Sequence, residues 1–233
     1  MNVIITGATK GIGRSIAQKV ASEGHNVCVC SRNSSDLDTM ITYWSTNYPN
    51  TKIYTKVADM SVKSEVTTFG EFAIAQMGSI DVLVNNAGVF LPGLLMEEDD
   101  GALEKMMETN LYSAYHLTRK IIPHMTSDSP SYIVNMASVA SLLAYPNGGS
   151  YSISKFALRG FSMVLREELK EKNIKVTTVM PGATWSNSWA GVDLPESRLM
   201  RADDIAEAVW SIFQMSPAAV VEEIILRPQL GDL

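Results

Sequence analysis

The chain has 233 residues, 46% of them hydrophobic and 19% charged, enough for a full core and outside the disordered class. Lys plus Arg at 19 against Asp plus Glu at 25 leaves a net charge of −6, so no nucleic-acid or anionic-membrane partner is expected. No run approaches the roughly 18 apolar residues of a membrane span. Met1 leads directly into Val3-Ile4-Ile5 without the basic start of a secretory leader, which predicts a cytoplasmic protein.

No repeat or linker interrupts the chain, so a single domain over 1–233 is expected. A strand over 3–6 leads into a glycine-rich turn and a helix with the stripe Ile12, Ile16, Ala17 and Val20. The next strand, 27–30, places Cys28 and Cys30 on one face; with no further cysteine they read as core filler, and no metal site is expected. Strands over 52–57 and 81–84 follow. Leu103, Met106, Met107, Asn110, Leu111, Ala114 and Leu117 recur at helical spacing before Pro123. After a strand over 132–136, Phe156, Ala157, Phe161, Val164, Leu165 and Leu169 mark another helix. A strand over 175–179 precedes a helix through Ile205, Ala206, Val209, Ile212 and Phe213, with Asp203 or Asp204 as its expected cap. A strand over 223–226 ends the series. Continuous apolar runs suit strands covered on both faces. Their alternation with helices predicts an α/β protein: a doubly wound, seven-stranded parallel sheet, the Rossmann fold. Such sheets bind ligands at the carboxyl ends of the strands, where the winding reverses.

Three constellations follow strands. Thr6-Gly7-Ala8-Thr9-Lys10-Gly11-Ile12-Gly13 joins the first strand to the first helix. Glycines there permit a sharp turn and let a pyrophosphate approach the free N–H groups of the helix; a plain strand-to-helix turn is the alternative. At the end of the second strand stand Ser31 and Arg32, where NAD enzymes commonly place a carboxylate for the ribose 2′-hydroxyl. Arg32 and Lys10 are cations suited to a 2′-phosphate, which points to NADP(H). A solvated loop charge is the alternative for Arg32 alone. Tyr151 and Lys155, spaced i, i+4, share a helix face, and Ser138 precedes Tyr151 by thirteen residues. A nearby ammonium, aided by an oxidised nicotinamide, would favour the phenolate and lower its pKa, so that Tyr151 would exchange a proton with a carbonyl oxygen that Ser138 polarises. Alone, the Tyr–Lys pair reads first as a surface pair on an amphipathic helix.

With Asp59-Met60, Asn85-Asn86-Ala87-Gly88, Asn110 and Pro181-Gly182 in order along the whole chain, these motifs make it resemble the short-chain dehydrogenase/reductase family. The resemblance implies that Asp59 bonds the adenine beside the Met60 backbone, and that Asn86, Ala87 and Gly88 line the adenosine ribose. Asn110 would hold, through a helix bend, a water linking Lys155 to solvent. Pro181 and Gly182 would present backbone to the nicotinamide. Beyond them come Ala183, Thr184, Trp185 and Ser186, with Thr184 included in the cofactor set and Ser186 standing where the family generally has the Thr that fixes the carboxamide. The implied cofactor-binding set also includes Gly7, Thr9, Lys10, Gly11, Ile12, Gly13, Ser31, Arg32, Tyr151 and Lys155.

Segments 89–95, 139–149 and, after Pro181, 185–190 are the expected substrate side; they are apolar and aromatic without Lys or Arg. A small lid and an open pocket are expected, with Trp185 and Trp189 serving either the pocket or packing. The first expectation is a small ketone, aldehyde or diketone as substrate. Reduction of a 3-oxoacyl group on acyl-carrier protein is the alternative within the family, disfavoured by the missing basic entrance, and an NADP-binding sensor is the alternative of another class. Association into a homodimer or homotetramer through the helices of Asn110 and Tyr151 is implied by the resemblance, with Ala157 and Gly160 small enough for close approach or for mere sheet packing.

Overall fold

The computed structural model describes residues 1–125, 129–185 and 195–232. Seven strands, β1 (Asn2–Thr6), β2 (Asn26–Ser31), β3 (Ile53–Val57), β4 (Val82–Asn85), β5 (Ser131–Met136), β6 (Ile174–Pro181) and β7 (Glu223–Leu226), form one sheet in the order β3-β2-β1-β4-β5-β6-β7. Every pairing is parallel. The winding reverses between β1 and β4, so their carboxyl ends flank the crevice expected of such a sheet.

Period-two alternation divides the core. Val3, Ile5, Val27 and Val29 point to the layer of α1 (Gly11–Ser22), α2 (Ser34–Asn47) and α7 (Ala202–Phe213). Ile4, Cys28 and Cys30 point to the opposite layer, with α3 (Lys63–Met77), α5 (Ser113–Ile121) and α6 (Gly149–Leu169). Both thiols are fully buried, as expected of core filler. Inside this second layer Asn85 Nδ2 donates to Thr118 Oγ1 (3.0 Å) and Asn135 Oδ1 (2.8 Å), and Asn135 Nδ2 donates to Ser162 Oγ (2.8 Å). That buried ladder ties β4 and β5 to α5 and α6, fixing the two helices that matter most below.

The helix expected around Asn110 is not regular. A π-helical turn, Glu108–Tyr112, separates α4 (Ala102–Met107) from α5, and such turns concentrate at functional sites. The cap expected of Asp203 or Asp204 falls instead on Arg201. Asp204, one turn in, accepts from the Arg201 backbone N–H at 3.0 Å, a carboxylate where the helix dipole favours one. The apolar stripe of α6 also divides. Leu158, Leu165 and Leu169 are buried, whereas Phe156 and Val164 are 43% and 55% exposed because they lie on the side turned from the sheet.

Candidate active site

The turn after β1 is shaped by what its glycines lack. Gly7 and Gly11 hold φ of +65° and +54°, a region costly for residues with a Cβ. A Cβ on Gly13 would collide with Asn86 Nδ2 and stand 2.5 Å from the Gly7 carbonyl oxygen. Asn86 fixes the turn by donating from Nδ2 to the carbonyls of Thr6 (2.9 Å) and Gly7 (3.0 Å). Thr6 Oγ1 accepts from the N–H groups of Asn86 and Ala87. The first N–H groups of α1 have no side-chain cap, so this end of the helix is open to an anion.

A cavity of about 640 Å³ opens over the turn, lined by every residue from Gly7 to Gly13 except Ala8, and by Ser31, Arg32, Asp59, Met60, Asn86, Ala87 and Gly88. The structure thus gathers most of the expected cofactor residues. Thr9 Oγ1 donates to Ser31 Oγ at 3.3 Å. Burial works to raise the Asp59 carboxyl, yet the Ser61 N–H and hydroxyl and the charges of Arg32 and Lys105 hold it below its usual range. Lys10 is not a free cation: its Nζ pairs with Asp36 at 2.9 Å. Asp36, Asn33, Cys30, Ala58, Val89 and Thr109 complete the lining. No motif marks them; Cys30 and Ala58 were visible only as strand-end neighbours of the marked residues.

Gly88 joins this cavity to the third constellation, that of Tyr151 and Lys155. A Cβ there would lie 3.5 Å from Lys155 Nζ and 3.2 Å from Asn110 Oδ1. Lys155 is buried on α6 and donates to the Met136 carbonyl at 2.8 Å, its Nζ standing 5.7 Å from the Tyr151 ring centroid. The Phe90 ring meets Tyr151 edge-on at 4.8 Å. Asn110 spends its amide on structure: Oδ1 accepts from Val89 N–H (2.8 Å), and Nδ2 donates to Val89 O (3.0 Å) and Ser154 Oγ (2.9 Å). Ser138 lies two residues beyond β5, and its hydroxyl donates to the Pro181 carbonyl at 3.4 Å. Pro181, Gly182 and Thr184 are absent from the described lining of the 640 Å³ cavity; Thr184 Oγ1 donates instead to the Gly182 carbonyl at 3.0 Å. Ser186, Trp189 and the expected lid lie outside the described residues.

Burial governs the electrostatics of the Tyr151 and Lys155 pair. Burial pushes the Tyr151 phenol up to about 12, although a hydrogen bond with Ser138 works to lower it. Burial pushes Lys155 down to about 8. In the protein alone, loss of hydration dominates, so the Tyr151 phenol stays protonated at neutral pH. A stability consequence follows. Between about 8 and the ordinary 10.5 of lysine, the unfolded chain binds more protons at Lys155 than the folded one, so its contribution rises with pH. Between the ordinary 10.0 of tyrosine and about 12 the unfolded chain binds fewer at Tyr151, and that contribution falls. Denaturant unfolding of wild type and Lys155→Met from pH 7 to 10 checks this: the stability difference between them should shift in favour of wild type as pH rises, and a constant difference would contradict it.

Comparison with known proteins places this geometry. The family profile described as short chain dehydrogenase matches residues 1–195. A sepiapterin reductase of Chlorobaculum tepidum is 33% identical over 99% of this chain and 97% of its own. The 3-oxoacyl-[acyl-carrier-protein] reductase FabG of Haemophilus influenzae is 31% identical over 88% of this chain and 87% of its own. A metagenomic short-chain oxidoreductase solved in complex with NADP superposes with a TM-score of 0.82, is 27% identical, and covers 98% of this chain and 97% of its own. The chain belongs to the short-chain dehydrogenase family and is an oxidoreductase.

Proposed function

We propose that the protein is an NADP(H)-dependent oxidoreductase acting between a carbonyl and a secondary alcohol of a small apolar substrate. The observation that carries this reading is Gly88, whose missing side chain lets the dinucleotide-sized cavity abut Lys155 and Asn110. A volume of about 640 Å³ falls within the range of cofactor and ligand sites, and a Cβ at Gly7 or Gly13 would crowd Ala87 or Asn86 and distort the turn beneath it. The bound nicotinamide supplies or accepts the hydride. Ser31 in place of a carboxylate, with Arg32 on the cavity wall, favours a 2′-phosphate; Asp36 is offset by its own pair with Lys10. The related metagenomic enzyme holds NADP.

Within the site, Tyr151 would give its proton to the substrate oxygen, Ser138 would hold that oxygen, and Lys155 would orient the nicotinamide ribose and reprotonate the phenol. Asn110 fixes Val89 and α6 around them. Phe90, Leu94, Leu95, Leu143, Tyr145 and Trp185 present partly exposed apolar surface on the expected substrate segments, and those segments contain no Lys or Arg. That composition suits a small ketone, aldehyde or diketone better than an acidic carrier protein, the reading that the Haemophilus relative otherwise supports. Incubating the purified protein with NADPH or NADH and a panel of ketones, aldehydes, diketones and 3-oxoacyl thioesters tests the reading; turnover confined to thioesters would favour the carrier-protein alternative.

A homodimer or homotetramer is part of the proposal. Tyr112, Tyr115, Phe156, Met163 and Val164 leave an apolar face exposed on the Asn110 and Tyr151 helices, and Gly160 opens onto free space. Light scattering should give a multiple of 25.5 kDa; one species of monomer mass would contradict this.

A further inference from the structure

We propose that Glu98 is a positioning residue for Tyr151, acting as a clamp between the loop after β4 and the first turn of α6. Its effect on turnover rests on the function proposed above. α6 begins at Gly149 with no side-chain cap from Gly148 and no acidic residue in its first turn, so its leading N–H groups need an acceptor from elsewhere. Glu98 supplies one from 52 residues away: one carboxylate oxygen accepts from the Ser150 N–H at 2.8 Å, and the other accepts from the Ser150 hydroxyl. The charge sits where the helix dipole favours it.

The surroundings are shaped for this carboxylate. A Cβ on Gly93 would stand 2.8 Å from Glu98 Cγ, and one on Gly149 would collide with the carboxylate itself. The Gly93 N–H donates to the Asn147 carbonyl at 3.1 Å, closing the same junction, and Glu98 N–H donates to the Leu94 carbonyl at 3.0 Å, curling the loop beneath its own side chain. Two glycines and a local turn therefore converge on one side chain.

Tyr151 lies between two such attachments. Glu98 grips Ser150, the residue before it, and Asn110 grips Ser154, three residues after it. Asn110 also holds Val89, at the start of the loop that ends in Glu98. Between these anchors lies Phe90, whose ring rests edge-on against Tyr151. The loop and the helical turn thus form one closed frame, and releasing the Glu98 corner frees Phe90 and the phenol to move relative to each other. Glu98 is outside the lining of the dinucleotide cavity, so cofactor binding should not depend on it.

Three variants test the clamp. Glu98→Ala removes it, and Glu98→Asp keeps the charge but shortens the reach by one methylene. Glu98→Gln keeps an acceptor for the Ser150 N–H and a donor for its hydroxyl. Ala and Asp should lower kcat roughly 10- to 100-fold with cofactor Kd within about 2-fold of wild type, because small misplacement of a proton donor is costly. Gln should recover most of the loss. In 13C-tyrosine-labelled protein, the Tyr151 ring resonance, assigned by its disappearance in Tyr151→Phe, should move in Ala and Asp and stay in Gln. Wild-type kcat and an unmoved resonance in Ala and Asp would overturn the proposal, as would a loss of kcat that only follows the fraction folded or the cofactor affinity. If wild type reduces no carbonyl at all, the functional reading fails separately, and the resonance alone decides the clamp.

Discussion

Replacing Tyr151 by Phe is expected to lower kcat by roughly 10²- to 10⁴-fold, the range for loss of a positioned general acid, while cofactor affinity changes little. The ring and its contact with Phe90 survive the substitution, so what is removed is one hydroxyl. That hydroxyl is held protonated by burial, at about 12, and is hydrogen-bonded with Ser138. It should therefore serve carbonyl reduction without preparation at neutral pH, whereas alcohol oxidation must first remove its proton. The expected asymmetry is that oxidation gains more than reduction as pH rises. Initial rates in both directions, with cofactor titrations by fluorescence, check this. A variant with near wild-type turnover would remove Tyr151 from the acid–base role, and loss of cofactor binding would make its role structural.

Arg32→Ala carries the second large effect. A charge-assisted, bidentate contact to phosphate contributes about 1.5–3 kcal/mol, so its loss should weaken NADPH by about 10- to 100-fold. NADH, lacking the 2′-phosphate, should change by no more than about 3-fold, the size of a surface substitution. Arg32 is exposed and its charge reaches Asp59 across the cavity mouth, so its removal opens no core. Lys10 should matter less, because Asp36 already holds its ammonium at 2.9 Å. Dissociation constants for both nucleotides with wild type and variant provide the check, and equal weakening of the two would reject the 2′-phosphate assignment.

The glycine turn, Ser31, Arg32, Asp59 and Asn86 were legible because each ends or follows a strand, and a parallel sheet delivers strand ends to one edge; Tyr151 and Lys155 were legible from their helical spacing. Glycines at 7, 11 and 13 announced a tight turn: φ is positive at Gly7 and Gly11, and a Cβ on Gly13 would collide with Asn86 and the Gly7 carbonyl. Asn110 was legible from the family motifs, and it lies in a π-helical turn inside an otherwise helical stripe. Other features depend on contacts that no periodicity encodes. The stripe of α2, Leu37, Met40 and Trp44, is scattered among Ser, Thr and Asp, so its helix went unmarked. β6 runs on to Pro181 because its ladder with β7 continues through Met180 and Pro181, although a proline suggests an earlier end. Glu98 and Ser150 meet only through tertiary packing, as do Lys10 and Asp36. The direction of the Tyr151 shift turns on desolvation, which the spacing of Tyr151 and Lys155 does not disclose.

Transfer of deuterium tests the central claim most directly. NADPH carrying deuterium at the transferable position of the nicotinamide is incubated with the carbonyl panel and wild-type or Tyr151→Phe protein, and products are read by mass spectrometry. The account predicts an alcohol one mass unit heavier than that formed from unlabelled NADPH, made by wild type and largely lost in the variant. Binding of NADPH with no labelled alcohol from any carbonyl class would contradict the account, as would equal labelling by the variant.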